Sequence, residues 1–249
     1  MKLPVFTEDA PCFRGDDPMT MLDAGATLNE TTHIFSRRMA YRREASKFYA
    51  RFTKRVVDLV FALLLMPVLL PVITLLWVLT RLDGGPGFFG HRRIGKNGKV
   101  FRCWKIRTMV PNAEERLVSY LAENPAAAEE WARDHKLTND PRITKIGHFL
   151  RATSLDELPQ IWNVLTGEMS FVGPRPVVRA EMRKYGHART AYLTMKPGIT
   201  GLWQVSGRND VSYAERVAMD IEYLQTVSLV TDCTLIAKTA SSVMNRTGR

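Results

Sequence analysis

Leu59-Val-Phe-Ala-Leu-Leu-Leu-Met-Pro-Val-Leu-Leu-Pro-Val-Ile-Thr-Leu-Leu-Trp-Val-Leu79 is a run of 21 residues without a single charge. As one helix rising 1.5 Å per residue it extends about 31 Å, roughly the thickness of a bilayer's hydrocarbon core. A membrane segment is therefore the first reading, because a buried helix of a soluble core rarely stays apolar on every face for so long. Two features argue against a simple span. Pro67 and Pro71 sit mid-run, each lacking an N–H and crowding the carbonyl four residues back, which predicts a kink. Arg51, Lys54 and Arg55 precede the run and Arg81, Arg92 and Arg93 follow it, whereas a span leaves only one flank on the cytoplasmic side. A re-entrant helix that enters the bilayer, turns at the prolines and exits on the entry side satisfies both; a straight span is the alternative.

Outward from this run, the charge is concentrated around it. Between Arg51 and Thr108 eleven Lys/Arg stand against Asp58 and Asp83 alone, so nine of the ten net positive charges bracket the apolar stretch. That placement points to anionic lipid headgroups or phosphorylated substrates before it points to nucleic acid, and a nucleic-acid-binding protein would leave the apolar run without a role. With 249 residues, 45% apolar and 24% charged, the chain is neither low-complexity nor globally disordered, and no repeat of solenoid period is visible. Cys12, Cys103 and Cys233 match neither a disulfide framework nor a Cys-x-x-Cys metal pair, which suggests reduced thiols facing a cytosol. The five histidines are isolated, without metal-ligand spacing.

Three segments follow. Residues 1–50 mix Pro, Gly and Asp without an apolar period and read as a mobile tail; Glu8, Asp9 and Pro11 exclude a secretory signal there. Residues 51–83 are the re-entrant membrane helix, and residues 84–249 a cytosolic α+β domain. In that domain the turn Gly95-Lys-Asn-Gly98 between Phe88-Phe89 and Val100–Trp104 predicts a short hairpin. Ala113–Lys136 is helical in propensity and interrupted at Pro125. Leu158, Ile161, Trp162 and Leu165 recur at i, i+3, i+4 and i+7, an amphipathic helix ended by Gly167, and a last helix is expected over Thr231–Asn245.

Candidate chemistry begins at Asp156-Glu157. Pro159 is tolerated only in a first helical turn, so the helix should start near Leu155 or Asp156 with both carboxylates at its N-terminus, where the dipole favours the ionised form. This suits a nucleophile or metal ligand; equally, Ser154-x-x-Glu157 has the form of a capping box. Arg175 sits between Pro174 and Pro176 in Phe171-Val-Gly-Pro-Arg-Pro176, a stiff backbone from which a guanidinium can meet phosphate bidentately; a solvated turn is the plain alternative. Lys196-Pro-Gly-Ile-Thr-Gly-Leu-Trp-Gln-Val-Ser-Gly-Arg208 is a Gly-rich loop without the Walker lysine or the dinucleotide fingerprint, and a hairpin loop is its alternative. Lys105 and Arg107 could place two cations on one strand face, or be ordinary solvated charge.

These segments closely resemble the small monotopic phosphoglycosyl transferases of bacteria, over roughly Arg51 to Asn245. The resemblance rests on Lys54-Arg-Val-Val-Asp58, Phe88–Phe101, Trp104-Lys-Ile-Arg-Thr-Met109, Thr153–Leu165, Gly167–Pro176 and Lys196–Arg208. It is nearest to the exopolysaccharide-initiating galactosyl-phosphate transferases, with glucose or an N-acetylated sugar as alternatives. The resemblance implies that a UDP-sugar gives its sugar phosphate to Asp156, releasing UMP, and that undecaprenyl phosphate then attacks the acyl phosphate. It implies Mg²⁺ on the diphosphate with Asp156 or Glu157 near it, Arg175 on phosphate, and Lys105, Arg107, Arg151 and Arg208 as further phosphate or nucleotide contacts. It places the protein in the bacterial inner membrane among lipids, facing the cytoplasm, without nucleic acid and with self-association left open. Pro71 matches the proline of the family's Ser-Pro helix break, but Leu70 stands in place of the serine. A non-catalytic membrane-anchored regulator of the same fold and a basic nucleic-acid-binding protein are the rivals from other classes.

Overall fold

A single long helix, fastened to the rest of the chain near both of its ends, organises the fold. The computed structural model describes residues 48–134, 136–206 and 211–244. Helix α1, Lys54–Arg81, continues a π-helical turn at Tyr49–Thr53, and together these 33 residues are long and apolar enough to cross a membrane. Of the expected tail, residues 1–47 lie outside the described residues, while residues 48–50 already coil into this helix.

Helix α1 runs through Pro67 and Pro71 without interruption, where the sequence predicts a kink. Both prolines lie on its exposed side, so the ring and the missing N–H disturb no packed contact. Ala62, Ile73 and Leu76 are buried on the opposite side, with Leu65, Met66, Leu69 and Val72 packed around them. Val56, Val60, Leu63, Leu64, Val68 and Leu75 remain half exposed or more. A continuous apolar face of this kind is uncommon on a water-soluble surface and suits contact with lipid.

At its N-terminal end Asp58 is buried and accepts from Ser170 Oγ (3.0 Å) and the Phe171 N–H (3.1 Å). Lys54 pairs with the buried Asp232, which also accepts from Tyr49 Oη (2.8 Å) and Tyr223 Oη (2.7 Å). At the far end Arg107 donates to the carbonyls of Thr80 (3.0 Å) and Pro86 (2.6 Å), to that of Met109, and to both oxygens of Asp83.

Strands β1, Phe88–Ile94, and β2, Val100–Ile106, form the expected antiparallel hairpin, paired from Phe88↔Ile106 to Ile94↔Val100. Its turn requires positive φ at Asn97 (58°) and Gly98 (76°), which Asn and Gly tolerate best. Pro125 splits the Ala/Glu-rich stretch as expected, into α2, Ala113–Glu123, and α3, Pro125–Asp134, with proline in the first turn of the second helix. Helices α4, Lys145–Thr153, and α5, Gln160–Thr166, precede β3, Ser170–Val172. Short helices α6, Arg179–Met182, and α7, Arg189–Thr194, lead to β4, Gly198–Thr200, which pairs in parallel with β3. Helix α8, Leu202–Ser206, and the longer α9, Tyr213–Thr226, and α10, Leu229–Met244, close the chain. The expected α+β domain with a short hairpin is found, mostly helical, and the parallel pair β3–β4 is an addition to that expectation.

The main core joins α1 to Phe101, Cys103 and Ile106 of β2, Leu150 of α4, and Ile161 and Val164 of α5. A polar residue of α5 sits against it. Asn163, fully buried, accepts from the Trp104 N–H (3.0 Å) and donates to Arg102 O (2.7 Å) and Glu168 Oε2 (2.6 Å), acting as a short extra strand on the edge of β2. Asn163→Leu keeps similar volume but strands two backbone groups, at about 1–3 kcal/mol each. A clear drop in the thermal unfolding midpoint of detergent-solubilised protein is expected, and an unchanged midpoint would remove Asn163 from the account of how β2 is held.

Candidate active site

Helix α4 ends on Ser154, whose φ of 58° is left-handed, with its N–H directed back to the carbonyls of Leu150 and Arg151. A 3₁₀ turn over Leu155–Glu157 follows, and regular helix resumes only at Gln160, with Pro159 at its cap. The predicted helix start at Leu155 or Asp156 is thus a 3₁₀ turn. The capping box is not made, because a left-handed Ser154 cannot aim its hydroxyl at the Glu157 N–H and makes no cap hydrogen bond. Instead, Asp156 and Glu157 turn toward Lys105 on β2. Its Nζ lies 2.6 Å from Glu157 Oε1 and 3.3 Å from Asp156 Oδ2.

This arrangement drives the two carboxyls apart. Burial pushes the Asp156 carboxyl up, and its Glu157 neighbour adds to that, against the opposing pull of Lys105 and Arg151. Burial also pushes Glu157 up, but the charge and hydrogen bond of Lys105, together with Arg175, outweigh it and hold that carboxyl below its ordinary value. Burial alone would depress Lys105; the two carboxylates reverse the shift and keep it an ammonium. Two carboxyls whose affinities for a proton are separated by their surroundings suit different roles in one reaction.

A small cleft of about 30 Å³, room for a water molecule, opens beside this cluster. Arg93, Lys105, Glu157, Gln160 and Arg175 face it. Asp156 is buried and reaches the cleft only by way of Lys105. Arg175 is held by backbone on both sides: the Gly173 N–H donates to Thr200 O (2.9 Å) and the Gly198 N–H to Pro174 O (2.8 Å). A Cβ on Gly173 would meet the Lys196 carbonyl and one on Gly198 the Gly173 nitrogen, so these two strands approach closely only as glycine. The Arg175 guanidinium lies 5.6 Å from the Trp203 ring centroid, and that of Arg216 4.7 Å from it. The described part of this segment, residues 196–206, is therefore β4 followed by α8, where a hairpin loop was its plain reading.

Arg151 donates from Nε to Thr108 Oγ1 (2.9 Å), within electrostatic reach of Asp156. Arg107 diverges from Lys105: it is buried, and its five N–H groups all serve the clamp on Thr80, Asp83, Pro86 and Met109, which leaves none for a phosphate. In this structure Arg107 holds the end of α1. Arg208 lies outside the described residues. Sequence reasoning missed Arg93, which donates to Pro176 O (3.1 Å) beside Arg175, and Arg55, which caps the C-terminus of α5 through Val164 O and Leu165 O (2.9 Å). The one available signal for Arg55 was a cation just ahead of an apolar helix, which looks the same as a lipid-facing charge.

Asp156 and Glu157 supply hard oxygen donors converging on one cation, here the lysine ammonium, which is the donor chemistry Mg²⁺ requires. Among the described residues no group of three or more His, Cys, Asp or Glu could hold a metal unaided.

The family model described as bacterial sugar transferase matches residues 49–246. A UDP-galactose-lipid carrier transferase of Erwinia amylovora is 49% identical over 222 residues, covering 88% of this chain and 46% of that protein. An undecaprenyl-phosphate galactose phosphotransferase of Salmonella typhimurium is 46% identical over 222 residues, with 88% and 47% covered. Exopolysaccharide production protein ExoY of Sinorhizobium fredii is 50% identical over 219 residues, with 88% and 96% covered. The chain thus spans about half the length of the first two and nearly all of the third.

Proposed function

The chain belongs to the bacterial sugar transferase family, and from that premise we propose that it transfers a sugar phosphate, with galactose 1-phosphate as the first candidate, from a UDP-sugar to undecaprenyl phosphate. This is the first membrane step of exopolysaccharide synthesis. The observation that carries the reading is a cleft faced by Lys105, Glu157 and Arg175, with Asp156 buried behind Lys105 and paired to it, within a segment matched by the family throughout.

The reaction proceeds in two displacements. An Asp156 carboxylate oxygen attacks the sugar-bearing phosphorus of the donor, the bond to the UMP oxygen breaks, and UMP leaves with the electron pair. A phosphate oxygen of undecaprenyl phosphate then attacks the same phosphorus and returns Asp156 as a carboxylate. Burial makes Asp156 the more basic carboxyl and so the better nucleophile once ionised. An incoming diphosphate competes with the carboxylates for Lys105, and movement of that ammonium onto the phosphate uncovers Asp156. Arg175 and Arg93 take the remaining phosphate charge, with Arg175 offering a bidentate fork. Asp156 and Glu157 would hold Mg²⁺, which supplies neutralisation of charge on the leaving phosphate. In detergent with a panel of UDP-sugars and undecaprenyl phosphate, UMP release beyond one equivalent is expected to depend on the lipid and to be highest with UDP-galactose. Release with another UDP-sugar alone would change the sugar; no release with any donor would favour the regulator.

The same proposal places α1 as a re-entrant element of the inner membrane, with residues 84–249 on the cytoplasmic side. Support comes from its anchorage: Lys54, Arg55 and Asp58 at one end and Thr80 at the other all bond to the same folded unit, which cannot lie on both faces of a bilayer. Cysteines introduced at Arg51 and Asp83 are expected to react with an impermeant maleimide only from the cytoplasmic side. Periplasmic labelling at either position would make the helix a span. Replacing Pro67 and Pro71 together by Ala should push it toward spanning.

A further inference from the structure

Away from the Asp156–Glu157 cluster, at the turn end of the hairpin, a cavity of about 270 Å³ opens between β1, α6 and α7. Buried Ile94 and Met182, with Leu193, give it an apolar floor, and Gly98 closes one end with backbone. Arg179, Arg183 and Arg189 surround its mouth. Among the described residues none of the three forms a salt bridge, a side-chain hydrogen bond or a cation–π contact. Glu181, the nearby acid in sequence, is turned away to Arg93 (3.5 Å) and to its own helix cap at the Val178 N–H (3.0 Å). Three guanidiniums brought to one rim without a counter-charge among the described residues repel one another, and they present the planar donors that phosphate groups accept bidentately.

We propose that this cavity is a second binding site, separate from the transfer site, for a small phosphate-bearing ligand. The ligand places its phosphate among Arg179, Arg183 and Arg189 and its less polar body on the Ile94–Met182 floor. The volume admits a nucleoside monophosphate or a lipid headgroup and excludes anything much larger. The cavity adjoins the transfer site through consecutive residues, since Arg93 faces the cleft while Ile94 floors the cavity, and Ile94 is bridged to Val177, two residues after Arg175. The proposal does not depend on the transferase reading.

The test uses the full chain in nanodiscs and reads backbone hydrogen exchange over residues 94–98 and 179–194. One arm adds UMP or inorganic pyrophosphate to discs of neutral phosphatidylcholine; the other uses phosphatidylglycerol discs without added phosphate. Saturable protection in the first arm assigns a soluble phosphate ligand, and protection in the second a lipid headgroup. Arg183→Gln/Arg189→Gln should weaken the effect tenfold or more, Arg183→Lys/Arg189→Lys should weaken it less, and Arg175→Ala should leave it unchanged. No protection in either arm, or protection that the double Gln variant with unaltered melting retains in full, overturns the proposal. If that variant unfolds, full-strength protection in Arg189→Gln alone has the same consequence.

Discussion

In Asp156→Asn, turnover is expected to fall by several orders of magnitude, on the order of 10⁴-fold or more, with melting unchanged. The parent enzyme, given UDP-sugar without lipid, should release UMP up to one equivalent and gain the mass of the sugar phosphate; the variant should gain none. Asn preserves size and hydrogen bonding in the 3₁₀ turn, and Lys105 keeps its shorter contact with Glu157, so the loss reports on the nucleophile rather than on folding. Glu157→Gln should also be severely impaired yet still accumulate some adduct, provided that its carboxylate serves chiefly the second displacement. Near-parental turnover by Asp156→Asn would falsify the covalent route and leave direct attack of the lipid phosphate on the donor.

Arg175→Ala is expected to cost on the order of 10²–10³ in kcat/KM, comparable to losing one preorganised donor to a transition-state oxyanion. Arg175→Lys should recover only part of this, because a point charge cannot reproduce a bidentate fork and stacks less well over Trp203. Full activity in the lysine variant would reduce Arg175 to a general electrostatic contributor. Thermal melts of both variants, compared with the parent, separate these outcomes from a loss of fold.

Local chemistry was legible in the sequence wherever the deciding partners are near in the chain. The hairpin turn at Gly95–Gly98, the break at Pro125 and the Gly167 helix end each depend on backbone preferences of one or two residues, and each is found. Fates decided across long separations were not legible. Lys105 and Arg107 read as one pair of alternating cations, yet Lys105 meets carboxylates about fifty residues ahead and Arg107 a clamp more than twenty residues behind. Ser154 and Glu157 satisfy the capping pattern, but the left-handed Ser154 and the pull of Lys105 override it. Asn163 looks like a polar position on a helix face; only the approach of β2 makes it a buried bridge.

The anchorage of α1 carries a consequence for protein engineering. Trimming the apolar helix to obtain a soluble enzyme would strip Lys54 and Tyr49 from the buried Asp232, uncap the helix that follows Asp156-Glu157, and open the core around Leu150 and Val164 to water. What resembles a detachable membrane tether is a wall of the folded unit that carries the Asp156–Glu157 cluster. Solubilisation strategies should therefore cover the exposed apolar face, with a belt of amphiphile or a redesigned outer surface, and keep the inner one.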